Sequence, residues 1–312
     1  MSCLVSVVMP SLNQCTFIGA AIESVLAQDY PHIELVVADG GSRDGTVTVL
    51  RQLQVADQRL VWFSEKDGGP ANAVNRALGR VRGTIIGWLN ADDLYAPGAV
   101  RSAVGALRAE PSWLMVYGHG RHIDAEGNVL GSYPTLPPST PAESFNAGCF
   151  ICQPTVFFRR TMYLLLGSLD EELKTAFDFD YWVRAFLSFC DRIGFVDSVL
   201  ACSRLHESCI TRRSRRTVAL EGMAILARHF GQAPGHWLRT YVEELLSGQV
   251  DAGEVGDLRA HAMATLSEAK CWLAPMEFQR LEDSFTHDHR LRGCEKASRE
   301  LRTMGMGQVT QV

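Results

Sequence analysis

Four times within the first 95 residues, an apolar or β-branched run ends in a polar cluster and gives way to a segment of different periodicity. The runs are LVSVVMP (4–10), IELVVADGG (33–41), LVWFSEKDGG (60–69) and TIIGWLNADD (84–93). Between them, FIGAAIESVLAQ, DGTVTVLRQLQ and PANAVNRALGRVRG place apolar residues at helical spacing, the last with Pro70 in the first turn, where its missing N–H costs nothing. Short buried strands alternating with helices predict right-handed crossovers and an α/β fold with a Rossmann-like, mostly parallel central sheet flanked by helices. Ligands of such sheets gather at the carboxyl ends of the strands. There the sequence puts PSLN, DGGSRDG, EKDGGPAN and NADD, four polar tips on one edge.

The fourth tip poses the sharpest chemical question. Asn90, Asp92 and Asp93 crowd together behind a core strand, and adjacent carboxylates repel unless water or a cation lies between them. Two readings stay open: a solvated turn capping the next helix, or oxygen ligands for Mn2+ or Mg2+. The second tip, with Asp39, Ser42, Asp44 and the Gly40–Gly41 pair, suits either a tight turn or a carboxylate that hydrogen-bonds a base or ribose. It is not a phosphate loop, since the required Gly-rich stretch with Lys and Ser or Thr is missing. PSLNQ after the first strand likewise lacks the glycine triplet of a dinucleotide site.

Beyond Pro111 the alternation loosens. LMVYGHGRHID and GNVLGSYP read as strands, the latter following an Asp-x-x-Gly turn, and YPTLPPSTP reads as a loop. FICQPTVFFRR reads as a strand running into a basic pair, AFDFDYWVRAFLSF as a helix, and RIGFVDSVLACSRLH as a last strand ending at His206. From residue 216 to 312 the pattern is helical, and the last ten residues are expected to be disordered. The expected division is therefore 1–215, with halves 1–110 and 111–215, followed by a C-terminal helical extension over 216–312.

Composition narrows the functional classes. A net charge of −5 argues against a nucleic-acid binder that relies on a basic surface. Nine scattered cysteines suit free thiols in a reducing compartment better than a disulfide framework, and the lone CFIC pair is a poor zinc signal. No basic region precedes the short N-terminal apolar run, and no stretch approaches the ~20 apolar residues of a membrane span. The expected location is the cytoplasm, with a peripheral contact at the inner face of the membrane left open. His287 and His289, two apart on a helical segment, do not share a face and are set aside as metal ligands.

These blocks in this order, VSVVMPSLNQCTFIGAAIESVLAQDYPHIELVVADGGSRDGT, SEKDGGPANAVNRALGRVRGTIIGWLNADDLY, GCFICQPTVFFRR, FDFDYWVRAF and SRLH, resemble the family 2 glycosyltransferases of the GT-A fold over about residues 4–210. The resemblance implies an inverting transfer of sugar from a nucleoside diphosphate sugar, with UDP as the default, to a hydroxyl of a glycan, lipid-linked or protein acceptor. It implies that Pro10, Ser11, Asn13, Asp39, Asp67, Asn72, Asn90, Asp92 and Arg204 line the donor site. Gln153, Pro154, Thr155 and Trp182 would lie near the sugar or acceptor, and Asp92, Asp93 and His206 would hold the Mn2+ or Mg2+.

Asp178 matches the family's proposed base, with Asp180 as second candidate, a position that also suits capping. Two positions depart from the usual pattern: Asn90 stands for the first aspartate of the DxD element, and Phe177 for the glutamate before the base. Those departures keep a donor-binding, non-catalytic protein in view, alongside a sugar nucleotidyltransferase, which would need a basic glycine-rich loop after the first strand. Leu238, Val242, Leu245 and Leu246 fit one buried helical face. The C-terminal helices carrying them are expected to wall the acceptor site, to mediate a homodimer or to dock a partner.

Overall fold

The computed structural model describes residues 3–248 and 257–292. The chain divides into two compact units, Met1–Cys209 and Ile210–Val312, a boundary six residues before the expected one because Ile210–Arg213 is already helical.

The first unit holds a nine-stranded sheet. Strands β1 (Val5–Ser11), β2 (Ile33–Asp39), β3 (Leu60–Ser64) and β4 (Ile85–Trp88) form one half, joined by helices α1 (Ile18–Leu26), α2 (Thr46–Ala56) and α3 (Pro70–Leu78). After β4 come the two-residue β5 (Leu94–Tyr95), α4 (Ala99–Ala109), β6 (Met115–Ile123), β7 (Val129–Ser132), β8 (Phe157–Arg159), α5 (Arg160–Leu166), α6 (Phe177–Phe189) and β9 (Ile193–Arg204). The sheet runs β3-β2-β1-β4-β8-β6-β9-β5, with β7 added to β6. The long ladders β1–β2, β2–β3, β1–β4 and β6–β9 are parallel; the short ones made by β5, β7 and β8 are antiparallel.

Burial explains the strand sequences. β2 is buried along its whole length, as expected of a strand covered on both faces. The core beneath α1 and α4 gathers Val5, Val7, Leu35, Val37, Ile22, Val25, Val100, Val104 and Phe157. On the opposite face of the sheet, Ser6 Oγ donates to Glu34 Oε1 at 2.5 Å, and Glu34 also accepts from the Arg82 backbone N–H and Nε, each at 2.7 Å. Those donors hold the Glu34 carboxyl below its ordinary pKa, even though desolvation, the largest single influence, pushes it up.

One expectation on the middle of this unit changes, and one helix is added. Gln153–Thr155 is a 3-10 turn rather than strand, which leaves β8 three residues long, and the apolar RTMYLLL that follows is helix α5.

The second unit is helical: α7 (Ile210–Arg213), α8 (Arg215–Phe230), α9 (His236–Leu246), α10 (Leu258–Glu268) and α11 (Pro275–His287). Leu238, Val242 and Leu245 are buried and Leu246 is half-buried, and an Arg215–Glu244 pair at 2.7 Å ties α8 to α9. Asp257 caps α10 by accepting from the N–H groups of Arg259 and Ala260. Cys294 and the last ten residues lie outside the described residues.

Candidate active site

The carboxyl ends of β1, β2 and β3 meet through Asp39. Ser11 pairs with Asp39 and Asp39 with Ser64 in the sheet register, so the tips lie side by side. Asp39 is buried; its Oδ2 accepts from Gly41 N at 3.1 Å, Ser42 N at 2.9 Å and Ser64 Oγ at 2.6 Å, while Oδ1 takes the Ser42 hydroxyl. The carboxylate thus braces the glycine turn that follows β2. Asn13 closes the same corner: its N–H donates to Ser42 Oγ at 2.7 Å and its Oδ1 accepts from Arg43 N at 2.9 Å. It does so with φ +53°, a left-handed conformation asparagine tolerates better than most residues.

Pro10 sits beside this corner at the end of β1, and the neighbouring Ser11 hydroxyl is buried without a hydrogen-bond partner. Asp67 lies against Gly40: a Cβ there would fall 2.7 Å from its Oδ2, so only glycine allows this approach. Asn72, by contrast, is bonded to Glu171 Oε2 at 2.8 Å and accepts from Gly68 N, which ties its amide to the loop before α6.

Around the β4 tip the carboxylates separate into different roles. Asp93 turns inward and is buried; Oδ1 accepts from Arg204 N at 2.8 Å and Oδ2 from Asn90 Nδ2 at 3.2 Å. Desolvation first, and the neighbouring Asp92 charge second, push its pKa well above the carboxylate range. Asp92 stays at the surface of the site, its Oδ2 3.1 Å from His206 Nε2, and His206 Nδ1 lies 2.9 Å from Ser208 Oγ. Phe17, at the start of α1, packs against the His206 ring with centroids 4.7 Å apart.

Arg204 is largely spent on backbone. Its Nε donates to Asp92 O at 2.8 Å, its Nη1 to Asp124 O and Ala125 O at 2.9 Å each, and its guanidinium lies over Phe17 at 5.0 Å.

Of the expected metal set, Asp92 and His206 come together and Asp93 does not, since its oxygens are occupied inside. Among the described residues no three His, Cys, Asp or Glu side chains converge on a metal position. The two that do meet are residue types that would hold Mn2+ or Mg2+, provided other ligands came from outside the chain. A carboxylate and an imidazole, 3.1 Å apart at Asp92 Oδ2 and His206 Nε2, are donors that such an ion would accept. In the tautomer whose Nδ1–H donates to Ser208 Oγ, the Nε2 lone pair would face such an ion; with Nε2–H instead, it donates to Asp92 Oδ2.

The acid-base side of the site starts at α6. Asp178 lies in its first turn with Oδ1 accepting from Phe179 N at 2.8 Å, and Tyr133, Cys149 and Cys152 lie within its electrostatic reach. Desolvation pushes its pKa up to about 6, partly offset by the Phe179 N–H. Asp180 is different: fully buried and paired with Arg184 Nε at 2.8 Å, while Arg184 also donates to Leu166 O and Ser168 O. Its carboxylate is structural.

Gln153 bridges to the β4 tip, donating from Nε2 to Trp88 O and accepting at Oε1 from Asn90 Nδ2, each at 2.9 Å. The next residue, Pro154, is buried, and the Thr155 hydroxyl is turned into the turn toward Cys152 O. Trp182 corrects the sequence reading. Its side chain is wholly buried against Trp88 and Tyr181, because that position of α6 faces the sheet, so it offers no surface to a sugar.

The sequence reading missed Phe17, Tyr133, Ser208 and above all Trp88. The last was detectable in principle, since residues 88 and 90 share a face at strand spacing.

The sheet of the first unit matches that of GT-A glycosyltransferase structures. Staphylococcus aureus TarS 1–349 in complex with UDP aligns over 99% of this chain and 93% of its own, with TM-score 0.59 at 17% identity. The mannosyltransferase PcManGT of Pyrobaculum calidifontis, in complex with GDP-Man and Mn2+, aligns over 98% and 86% with TM-score 0.57 at 20% identity. Both define a class of fold.

The sequence itself goes further: the profile of Glycosyl transferase family 2 matches residues 6–164, just over half the chain, and the protein belongs to that family. An uncharacterized glycosyltransferase of Rickettsia typhi is 30% identical over 221 residues, 67% of this chain and 66% of that one. Chondroitin synthase of Escherichia coli is 30% identical over 181 residues, 58% of this chain but only 26% of its own length. The chain spans about a third to two thirds of the length of the Rickettsia relatives it matches.

Proposed function

We propose that this chain transfers a sugar from a nucleoside diphosphate sugar, with UDP as the first base to test, to an acceptor hydroxyl with inversion at the anomeric carbon. One observation carries the reading: the β4 tip leads directly into Asp92, which meets His206, while its Trp88 stacks on Phe177, the chain neighbour of the raised carboxyl of Asp178. Asp178 takes the proton of the acceptor hydroxyl, and Asp180, paired to Arg184, is unsuited to that task. The acceptor oxygen forms its bond to the anomeric carbon as the bond to the diphosphate oxygen breaks on the opposite face. The products are the glycoside, the nucleoside diphosphate and a proton on Asp178.

Asp92 and His206 are the residues that would hold Mn2+ or Mg2+, an ion that supplies positive charge beside the departing diphosphate. Arg204 supports the same end of the site by fixing the Asp92 backbone. The complexes of TarS with UDP and PcManGT with Mn2+ favour this donor class. The likeness to chondroitin synthase favours an acceptor in bacterial polysaccharide or glycoconjugate synthesis.

The test is incubation with a panel of sugar nucleotides, Mn2+ and glycan acceptors, following released nucleoside diphosphate and the anomeric configuration of the product. Inverted product from one donor supports the reading. Donor binding without release under every condition refutes it.

A further inference from the structure

Asn90 and Phe177, the two positions singled out as departures from the family pattern, lie on opposite sides of one residue, Trp88. On one side the hydrogen-bond polarity is fixed without ambiguity. The Trp88 indole can only donate, and Nε1 does so to Asn90 Oδ1 at 3.2 Å. Trp88 O can only accept, and takes Gln153 Nε2 at 2.9 Å. Gln153 Oε1 must then accept, and Asn90 Nδ2 supplies that bond at 2.9 Å while also reaching Asp93 Oδ2. The result is a closed ring, Trp88 to Asn90 to Gln153 to Trp88, that fixes the indole plane. An aspartate at 90 would lack the donor that two of these acceptors need.

On the other side, the indole stacks on Phe177 with centroids 5.8 Å apart and planes 20° from parallel, and touches Trp182 at 6.1 Å. Phe177 and Trp182 belong to one helix, so two contacts five residues apart orient the start of α6. The aromatic packing adds to two polar contacts of that first turn, Asp178 Oδ1 accepting from Phe179 N and Asp180 paired with Arg184.

We propose that the Trp88–Asn90–Gln153 ring and Phe177 form a single positioning unit that fixes Asp178 for the acceptor hydroxyl, with Trp88 as its centre. The unit rests on the reading of Asp178 as the base. It uses a neutral hydrogen-bond ring and a ring stack where charged residues would place further carboxylates beside Asp93 and Asp178. The titratable groups that face Asp178, namely Tyr133, Cys149 and Cys152, are not cationic and do not hold it ionised.

The test is a 13C titration of protein labelled at the aspartate carboxyl carbons, with the Asp178 resonance assigned by its loss in Asp178→Asn. Wild type, Asn90→Ala and Phe177→Leu are compared, with Trp88→Phe added because it keeps an aromatic ring for Phe177 while removing the pyrrole part of the indole with its N–H. The expected result is a midpoint near 6 in wild type. It should fall by ~0.5 pH unit or more in Phe177→Leu and in Asn90→Ala, which does not touch Asp178, as water gains access to the carboxyl. Trp88→Phe shifts it less, in the same direction.

In parallel, Phe177→Leu should lower kcat roughly tenfold or more with donor KM unchanged, as misplacing a catalytic group does. An Asn90→Ala protein that is folded and titrates like wild type overturns the unit, and so does a Trp88→Phe midpoint that moves upward. If wild type transfers no sugar from any donor, the functional reading fails, and the titration still decides whether the unit positions Asp178.

Discussion

Replacing Asp178 by asparagine should make the protein more stable and nearly inactive at once. The Asp178 carboxyl is lifted from 3.8 to about 6, with desolvation as the leading cause. That gap of roughly two pH units corresponds to about 3 kcal/mol at ~1.4 kcal/mol per unit.

The sign follows from proton binding. Between the unfolded and folded pKa values the folded state holds the proton more tightly, so stability falls as pH rises, and the full penalty is present above pH 6. Asparagine keeps an oxygen for the Phe179 N–H and carries no charge, so it removes the penalty. Urea unfolding at pH 7.5 should therefore show Asp178→Asn up to about 3 kcal/mol more stable than wild type, the difference shrinking to about 1 kcal/mol near pH 4.5.

Transfer should drop by roughly 10²–10⁴, the usual contribution of a general base, while donor binding by calorimetry is retained. The wild-type rate should decline below about pH 6, where the base becomes protonated. A variant that is less stable than wild type at pH 7.5, or that transfers sugar at a near-normal rate, would refute the reasoning.

Three further outcomes follow from named contacts. His206→Ala should lower transfer at least tenfold and raise the Mn2+ concentration needed for half-maximal rate, measured by titrating the ion; an unchanged Mn2+ dependence contradicts a ligand role. Asp180→Asn leaves Arg184 without its charged partner in a buried pair and should cost about 3 kcal/mol by denaturant unfolding, while the folded fraction keeps its turnover. Gly118→Ala would drive a Cβ to 2.6 Å from Val196 O and 2.8 Å from Ser198 O, both backbone atoms. It should destabilise by about 1–3 kcal/mol, read as a lower denaturant midpoint.

The strand-and-helix order of the first unit was legible because each buried run is bounded by turn residues and each helix shows its own period. β5 was not: Leu94 and Tyr95 become strand only by pairing with Cys202 and Ala201, more than a hundred residues away. α5 was hidden because RTMYLLL has no cap signal, and Leu164 and Leu165 are exposed.

The site divides in the same way. That Asp39, Asp92, Asp178 and His206 sit at tips and element starts could be read locally. Which way adjacent carboxylates turn could not. Asp93 is drawn inward by the N–H of Arg204, supplied by β9, and Asp92 is left outward for His206. Asp178 and Asp180 look interchangeable until the helix face is known; Arg184 one turn on pairs with Asp180, which leaves Asp178 as the proposed base. Trp182 looked like a ligand contact because aromatic residues suit both sugars and cores, and its sheet-facing position makes it core.

The most direct measurement is a crystal structure with UDP and Mn2+, with the ion located by its anomalous scattering. The expected result is an ion bonded to Asp92 Oδ2 and His206 Nε2 and to diphosphate oxygens, with the Asp178 carboxylate across the same cleft facing the sugar position. An ion and diphosphate bound away from Asp92 and His206, or an Asp178 directed to separate solvent, would contradict the account.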